Sequence, residues 1–296
     1  MKKIIFSLFV MAVVVSCSDE NQNRKNKTEE SAIEKEAAAP IEEHNQRAFY
    51  PIPSPEQMFG FINDNGLTYS KDLMNDIGRA DQYITPSEKA LNFGVYTADL
   101  AYAAAYQDIE STISLYRVVK RIGAELHISE IMTEEMMQQV QTNMETPDSL
   151  ALIAGDSYYR AVEFLERNGQ EGKLALMSLG GWIESLHITL NTIEEFDPSS
   201  PTATRIAAQK IPFGNLYTYL KKNEAEIGVK EEIEAIQKVR SVFASLEEQS
   251  SAKTTKNKGT KLVFGKGRII LMSVVQFKAL KSAVEEYRTR IIGEKE

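Results

Sequence analysis

From Pro55 to the C-terminus, apolar residues recur at intervals of three and four, the spacing that places them on one side of an α-helix. Proline, glycine and capping residues divide this pattern into separate helices. Ser54 and Pro55 open one that Asn65 and Gly66 stop, and a second is predicted from about Ser70 to Tyr83. Thr85-Pro86-Ser87-Glu88 has capping-box spacing with proline at the first helical position, so a third starts there. Further helices are predicted over about 109–126, 129–143, 147–168, 171–195, 201–222, 229–248 and 273–293. Pro147, Gly169, Asp197-Pro198 and Gly228 supply the breaks, and Ser273 with Gln276 caps the last helix. One stretch reads as strand: Lys261–Phe264 and Arg268–Leu271 flank Gly265-Lys266-Gly267 as in a β-hairpin. Ser250–Thr260, mostly Ser, Thr, Lys and Gly, reads as a flexible loop before it.

Two helical segments have no polar face. Ala90–Tyr106 carries one charge, Asp99, and Leu174–Thr192 carries one, Glu184, together with His187. A helix that is apolar or small all round belongs inside a bundle, with other helices covering it. The expected fold is therefore all-α, a multi-helix bundle of about nine or ten helices with two central buried ones and a small β-hairpin before the C-terminal helix. The two central segments also align at an offset of 86 residues: Phe93-Gly94-x-Tyr96-x-x-x-Leu100 matches Leu179-Gly180-x-Trp182-x-x-x-Leu186. An internal duplication would relate the two helices by approximate two-fold symmetry. Glycine costs about 1 kcal/mol in a helix interior relative to alanine, so close packing is the expected compensation.

Ahead of the helical region the pattern changes character. Lys2 and Lys3 precede the apolar run Ile4–Val15, broken only by Ser7, and Val14-Val15-Ser16-Cys17 closes it. A basic start followed by an apolar run of this length is signal-peptide architecture, and it is short of the roughly 20 residues a spanning helix needs. The last four residues resemble the bacterial lipobox, which implies cleavage before Cys17 and lipidation of its sulfur. Because Cys17 is the only cysteine, a disulfide within one chain and a thiolate metal cluster are excluded. Residues 18–48 are rich in Asn, Gln, Glu, Lys and Ala and too poor in large apolar side chains to offset ordering entropy, so they read as a disordered tether. Phe49-Tyr50-Pro51-Ile52-Pro53 starts the folded part, residues 49–296, as an extended arm.

The formal charge is −8, and −10 once Lys2 and Lys3 leave with the signal. Such a chain is repelled by phosphates, so nucleic acid is excluded as a partner and lipid rather than protein surface must supply membrane attachment.

A lone carboxylate on a buried helix is costly unless cations or hydrogen bonds compensate it or it stays neutral, which makes Asp99 and Glu184 the candidate functional residues. Asp99 shares a helix face with Tyr96, Tyr102 and Tyr106, whose hydroxyls are potential donors. Glu184 is three residues from His187, close enough to share a proton with it. These residues form either a polar inter-helix pocket, with Asp99 or Glu184 as general base and His187 as partner, or a structural network that sets helix register. Tyr96, Tyr102 and Trp182 are candidate ligand contacts, with burial in the core as the competing role. A di-iron bundle needs a second Glu-x-x-His pair, and the other histidines, His44 and His127, do not supply one. No metal and no cofactor is expected; the haem-attachment and phosphate-loop patterns are missing, as is a nucleophile elbow. Glu194-Glu195 and Glu231-Glu232 read as solvated faces.

Gly94-Val95-Tyr96-x-Ala98-Asp99-Leu100-x-Tyr102 and Gly180-Gly181-Trp182-Ile183-Glu184 resemble an uncharacterised all-helical lipoprotein family of Bacteroidetes, from about Pro55 onward. Ser18-Asp19-Glu20-Asn21 is similar to the acidic signature that follows the lipidated cysteine in surface-exported lipoproteins of that group. The resemblance implies an outer-membrane address and a helical architecture, and it implies no activity. The expected function is a lipid-anchored, non-enzymatic binding or interaction module of the cell envelope, with a small molecule or an envelope protein as partner. The alternative is an envelope hydrolase using Asp99, Glu184 and His187.

Overall fold

The computed structural model describes residues 68–131, 133–143, 146, 149, 159–251 and 267–293. The signal segment with Cys17, the tether, the proline-rich arm, the first predicted helix and the Lys261–Phe264 run lie outside the described residues. Within them the fold is all-α: 74% of these residues are helical, in ten helices, with one two-stranded antiparallel sheet. Short 3-10 helices at Lys71–Leu73 and Ile77–Gln82 lead into α1 (Pro86–Ala105), followed by α2 (Ile109–Glu125), α3 (Glu134–Thr142), α4 (159–167) and α5 (Glu171–Asn191). Then come α6 (Pro201–Ala208), α7 (Lys210–Lys222), α8 (Val229–Ala235), α9 (Gln237–Ala244), β1 (Glu247–Ser251), β2 (Gly267–Leu271) and α10 (Val274–Ile292).

The two central helices are α1 and α5. Their capping differs: Thr85 and Glu88 close a full capping box on α1, with Pro86 at its first position, whereas Gln170 gives α5 no side-chain cap. In α5, sixteen of 21 residues are buried, which leaves no side for water. The glycines explain how closely the pair packs. A Cβ on Gly94 would sit 2.0 Å from the Met177 carbonyl oxygen, and a Cβ on Gly180 would sit 1.9 Å from that of Leu91. The contact is reciprocal at the same offset of 86, since Leu91 and Met177 are equivalent, as are Gly94 and Gly180. Ser87 and Ala90 share one cavity with Gly172 and Leu176 near the helix starts, and Tyr102 packs with Ile188 near their ends, so α1 and α5 run parallel. Helix α2 packs on α1, and α10 packs on α5, α9 and α1.

Several predicted elements come out differently. The helix expected over 70–83 is two 3-10 turns with an extended link, because the Asn75 backbone N–H goes to the Asp99 side chain and Asp76 caps Gly78 instead. The helix expected over 201–222 breaks at Gln209 into α6 and α7. Pro212 accounts for the break: it has no N–H for the Ala208 carbonyl, and its ring crowds that carbonyl. The helix expected over 229–248 is also two, meeting at Ile236, and its end belongs to the sheet. The expected small two-stranded sheet does precede the last helix, with a different partner strand. Arg268–Leu271 does form a strand, but it pairs with Glu247–Ser251 in the register Glu248 opposite Ile270. The sequence Glu-Glu-Gln-Ser-Ser has no apolar alternation and gives no strand signal; its partner supplies the buried side chain, Ile270.

Candidate functional site

Asp99 and Glu184 come together at the α1–α5 contact, both with no solvent exposure. A third residue completes the site: Arg288 of α10, also buried, sends Nε to Glu184 Oε2 and a terminal nitrogen to Oε1, each at 2.6 Å. This two-pronged bond satisfies the geometry of both groups and is stronger than a single-point ion pair. Asp99 Oδ2 accepts the Asn75 backbone N–H at 3.0 Å, while among the described residues no donor reaches Oδ1. Burial, and then the charge of the adjoining Glu184, hold the Asp99 carboxyl well above the usual carboxylate range, although Arg288 and Asn75 pull the other way. This environment favours the neutral form of the Asp99 carboxyl over the charged one.

His187 follows a separate course. Its Nδ1 lies 2.7 Å from Glu285 Oε1 and its Nε2 lies 3.2 Å from the Leu73 carbonyl oxygen. Both partners are acceptors, so both bonds exist together only when the ring carries two protons. Burial raises the Glu285 carboxyl, but the His187 hydrogen bond and charge outweigh it and leave Glu285 below its ordinary value. The predicted sharing of a proton between Glu184 and His187 is therefore not what forms: α10 supplies each with its own partner. The two networks meet at the Leu73 carbonyl, which accepts from His187 and, at 3.2 Å, from Arg288.

The aromatic candidates are all buried. Tyr96 donates its hydroxyl to the Asp76 carbonyl at 2.8 Å, and Tyr102 accepts the Ser70 N–H at 3.0 Å. Both hydroxyls thus reach past Asp99 to the backbone of residues 70–76, because a phenol oxygen stands too far out along its ring to turn back onto its own helix. Trp182 stacks on Phe213, with ring centroids 4.8 Å apart, and its Nε1–H donates to Gln209 Oε1 at 3.3 Å.

A third buried acid escaped sequence reading. Glu232, expected on a solvated face, is 5% exposed; it accepts from the Tyr287 hydroxyl and pairs with Arg290, both from α10. Its neighbour Glu231 is exposed as expected. The missing signal in both networks was α10, whose arginines look like ordinary surface charges in an amphipathic helix.

A cavity of about 170 Å3 opens at the N-terminal ends of α1 and α5, with Ser87, Lys173, Leu176 and Ile227 among its lining residues. None of Asp99, Glu184 or His187 lines it. Lys173 donates there to the Leu126 carbonyl and to Gln170, and burial lowers its pKa. Among the described residues no group of three or more His, Cys, Asp or Glu is placed to hold a metal ion, and no helix is long and apolar enough to cross a membrane. No protein-family model, curated protein or solved structure matches the chain.

Proposed function

We propose that the protein is a lipid-anchored interaction module of the cell envelope, tethered through an acylated Cys17 and binding a partner rather than catalysing a reaction. The observation that carries the non-enzymatic reading is the Glu184–Arg288 fork. Both carboxylate oxygens are committed to a guanidinium inside the bundle. A general base needs a free lone pair facing a substrate, and general acid–base geometry needs a space for that substrate within hydrogen-bond reach. A hydrolase built on Asp99, Glu184 and His187 would have to release Glu184 from Arg288 and admit water to two unexposed carboxyl groups, so these residues support an architectural role more directly. The anchor is supported by the order of basic start, apolar run and lone cysteine at residues 2–17. Thioether-linked diacylglycerol with an amide-linked chain gives the two attachments that stable anchoring requires. The outer membrane is the proposed location, and the net charge of the mature chain leaves attachment to the lipid.

Metabolic labelling with palmitate in the bacterial host, followed by detergent phase separation, tests the anchor. Wild-type protein is expected to carry the label and enter the detergent phase, and Cys17→Ala to lose both properties. Unlabelled wild-type protein in the aqueous phase would remove the anchor from the account.

A further inference from the structure

Residues 68–76 are held in an unusual way. They contain no α-helix or strand, and the one short 3-10 turn, Lys71–Leu73, buries no residue. Leu73 N–H to the Ser70 carbonyl and Met74 N–H to the Lys71 carbonyl close that turn, and several other backbone groups are satisfied by side chains rooted in α1, α5 and α10. Tyr102 accepts the Ser70 N–H and donates to the Thr68 carbonyl at 3.5 Å. Arg288 and His187 both donate to the Leu73 carbonyl, Asp99 accepts the Asn75 N–H, and Tyr96 donates to the Asp76 carbonyl. In an extended chain the carbonyl of one residue and the N–H two residues later face the same side. That is the edge a neighbouring β-strand would read, and Met74 and Asp76 have extended backbone angles. Buried side chains from three helices take the place of that strand. Side-chain contacts add an apolar component: Tyr69, Leu73 and Met74 lie partly buried against Tyr102 and Ile188.

We propose that the groove between α1, α5 and α10 is a binding site for a peptide that is extended on either side of one 3-10 turn, filled here by the chain's own residues 68–76 as an internal ligand. These bonds to main-chain atoms do not depend on sequence, whereas Tyr69, which also donates to Asp108 at 2.7 Å, Asn75, which donates to Tyr83 at 3.0 Å, and Leu73 define the preferred form: an aromatic residue followed four positions later by leucine. Main-chain hydrogen bonds supply affinity and side-chain pockets supply selectivity, as in strand-addition recognition. The two nitrogen donors on the Leu73 carbonyl, from Arg288 and His187, would hold a peptide oxygen firmly. An internal ligand competes at an effective concentration on the order of millimolar, so an outside peptide gains access only when the internal one is weakened or displaced. The inference deepens the interaction-module reading by naming a partner class, and it is independent of the lipid anchor.

The test uses the full mature chain and a fluorescent peptide with the sequence of residues 68–77. Tyr69→Ala with Leu73→Ala weakens the internal segment without touching the groove. Peptide affinity, read by fluorescence anisotropy, is expected to rise at least tenfold over wild type. Adding Arg288→Met should abolish that gain, and Arg288→Lys should restore part of it. Equal peptide affinity in wild type and the double variant, with cooperative unfolding intact in both, would overturn the proposal. So would loss of cooperative unfolding in the double variant, since it would make residues 68–76 part of the core rather than an exchangeable occupant. Either negative result leaves palmitate labelling, the test of the anchored reading, unaffected.

Discussion

Asp99 is the residue at which charge, burial and hydrogen bonding are most tightly constrained. Its folded-state proton affinity is raised by burial and by Glu184, so the folded chain keeps a proton that the unfolded chain releases above its ordinary value of 3.8. Stability from this proton is fully present below that value and is lost as pH rises toward the folded-state pKa, at up to about 1.4 kcal/mol per pH unit. Glu285 has the opposite sign. Its carboxyl is held below the ordinary 4.5, so its contribution is present above that value and disappears on acidification through the lower folded-state pKa. Asp99→Asn keeps an acceptor for Asn75 and gains an amide donor for Glu184 at every pH. Urea unfolding between pH 5 and 8 should therefore show that this variant is less sensitive to pH than wild type, and no less stable at the upper end. An unchanged slope would mean that Asp99 is ionised in the folded chain.

Among the elements, α1 and α5 set the packing of the whole bundle. Their centrality was legible in the sequence because a helix without a polar face has to be enclosed, and the Gly94 and Gly180 alignment already implied close approach. What each glycine touches was not legible: only the structure shows Leu91 and Met177 carbonyls occupying the places of the absent methyl groups. Gly94→Ala and Gly180→Ala should each cost about 1–3 kcal/mol or more through overpacking. Gly214→Ala in α7 provides the control. Nothing lies within 4 Å of its added Cβ, and alanine should stabilise that helix by about 0.5–1 kcal/mol. Thermal unfolding of the three variants checks the contrast, and equal effects at Gly94 and Gly214 would refute the close crossing. The Pro212 break was legible in principle, since the clash falls four residues back, on Ala208. The pairing of β2 with Glu247–Ser251 was not, because a polar strand in a two-stranded ribbon borrows its stability from tertiary contact.

At the scale of the whole molecule, α10 joins what the sequence separates. Arg288 closes on Glu184, Glu285 on His187, and Tyr287 with Arg290 on Glu232. The helix end contributes too, because Asn92 donates to the Ile291 carbonyl at 2.8 Å and Tyr83 to that of Ile292 at 3.3 Å. Asp99 and Glu184 were visible as residues needing a partner and Glu232 was not, while the partners of Glu184 and Glu232 lie 104 and 58 positions away, at a distance no local spacing rule reaches. The charged centre thus ties α10 to the central helices. Replacing a well-packed buried ion pair as a pair costs little, but removing one member strands the other.

The most direct test is a double-mutant cycle on Glu184 and Arg288, read by denaturant unfolding. Arg288→Met alone should lose about 3–5 kcal/mol. Glu184→Gln combined with Arg288→Met should recover most of that loss. Additive effects of the two substitutions, with no recovery in the double variant, would contradict an architectural pair at the centre of the bundle.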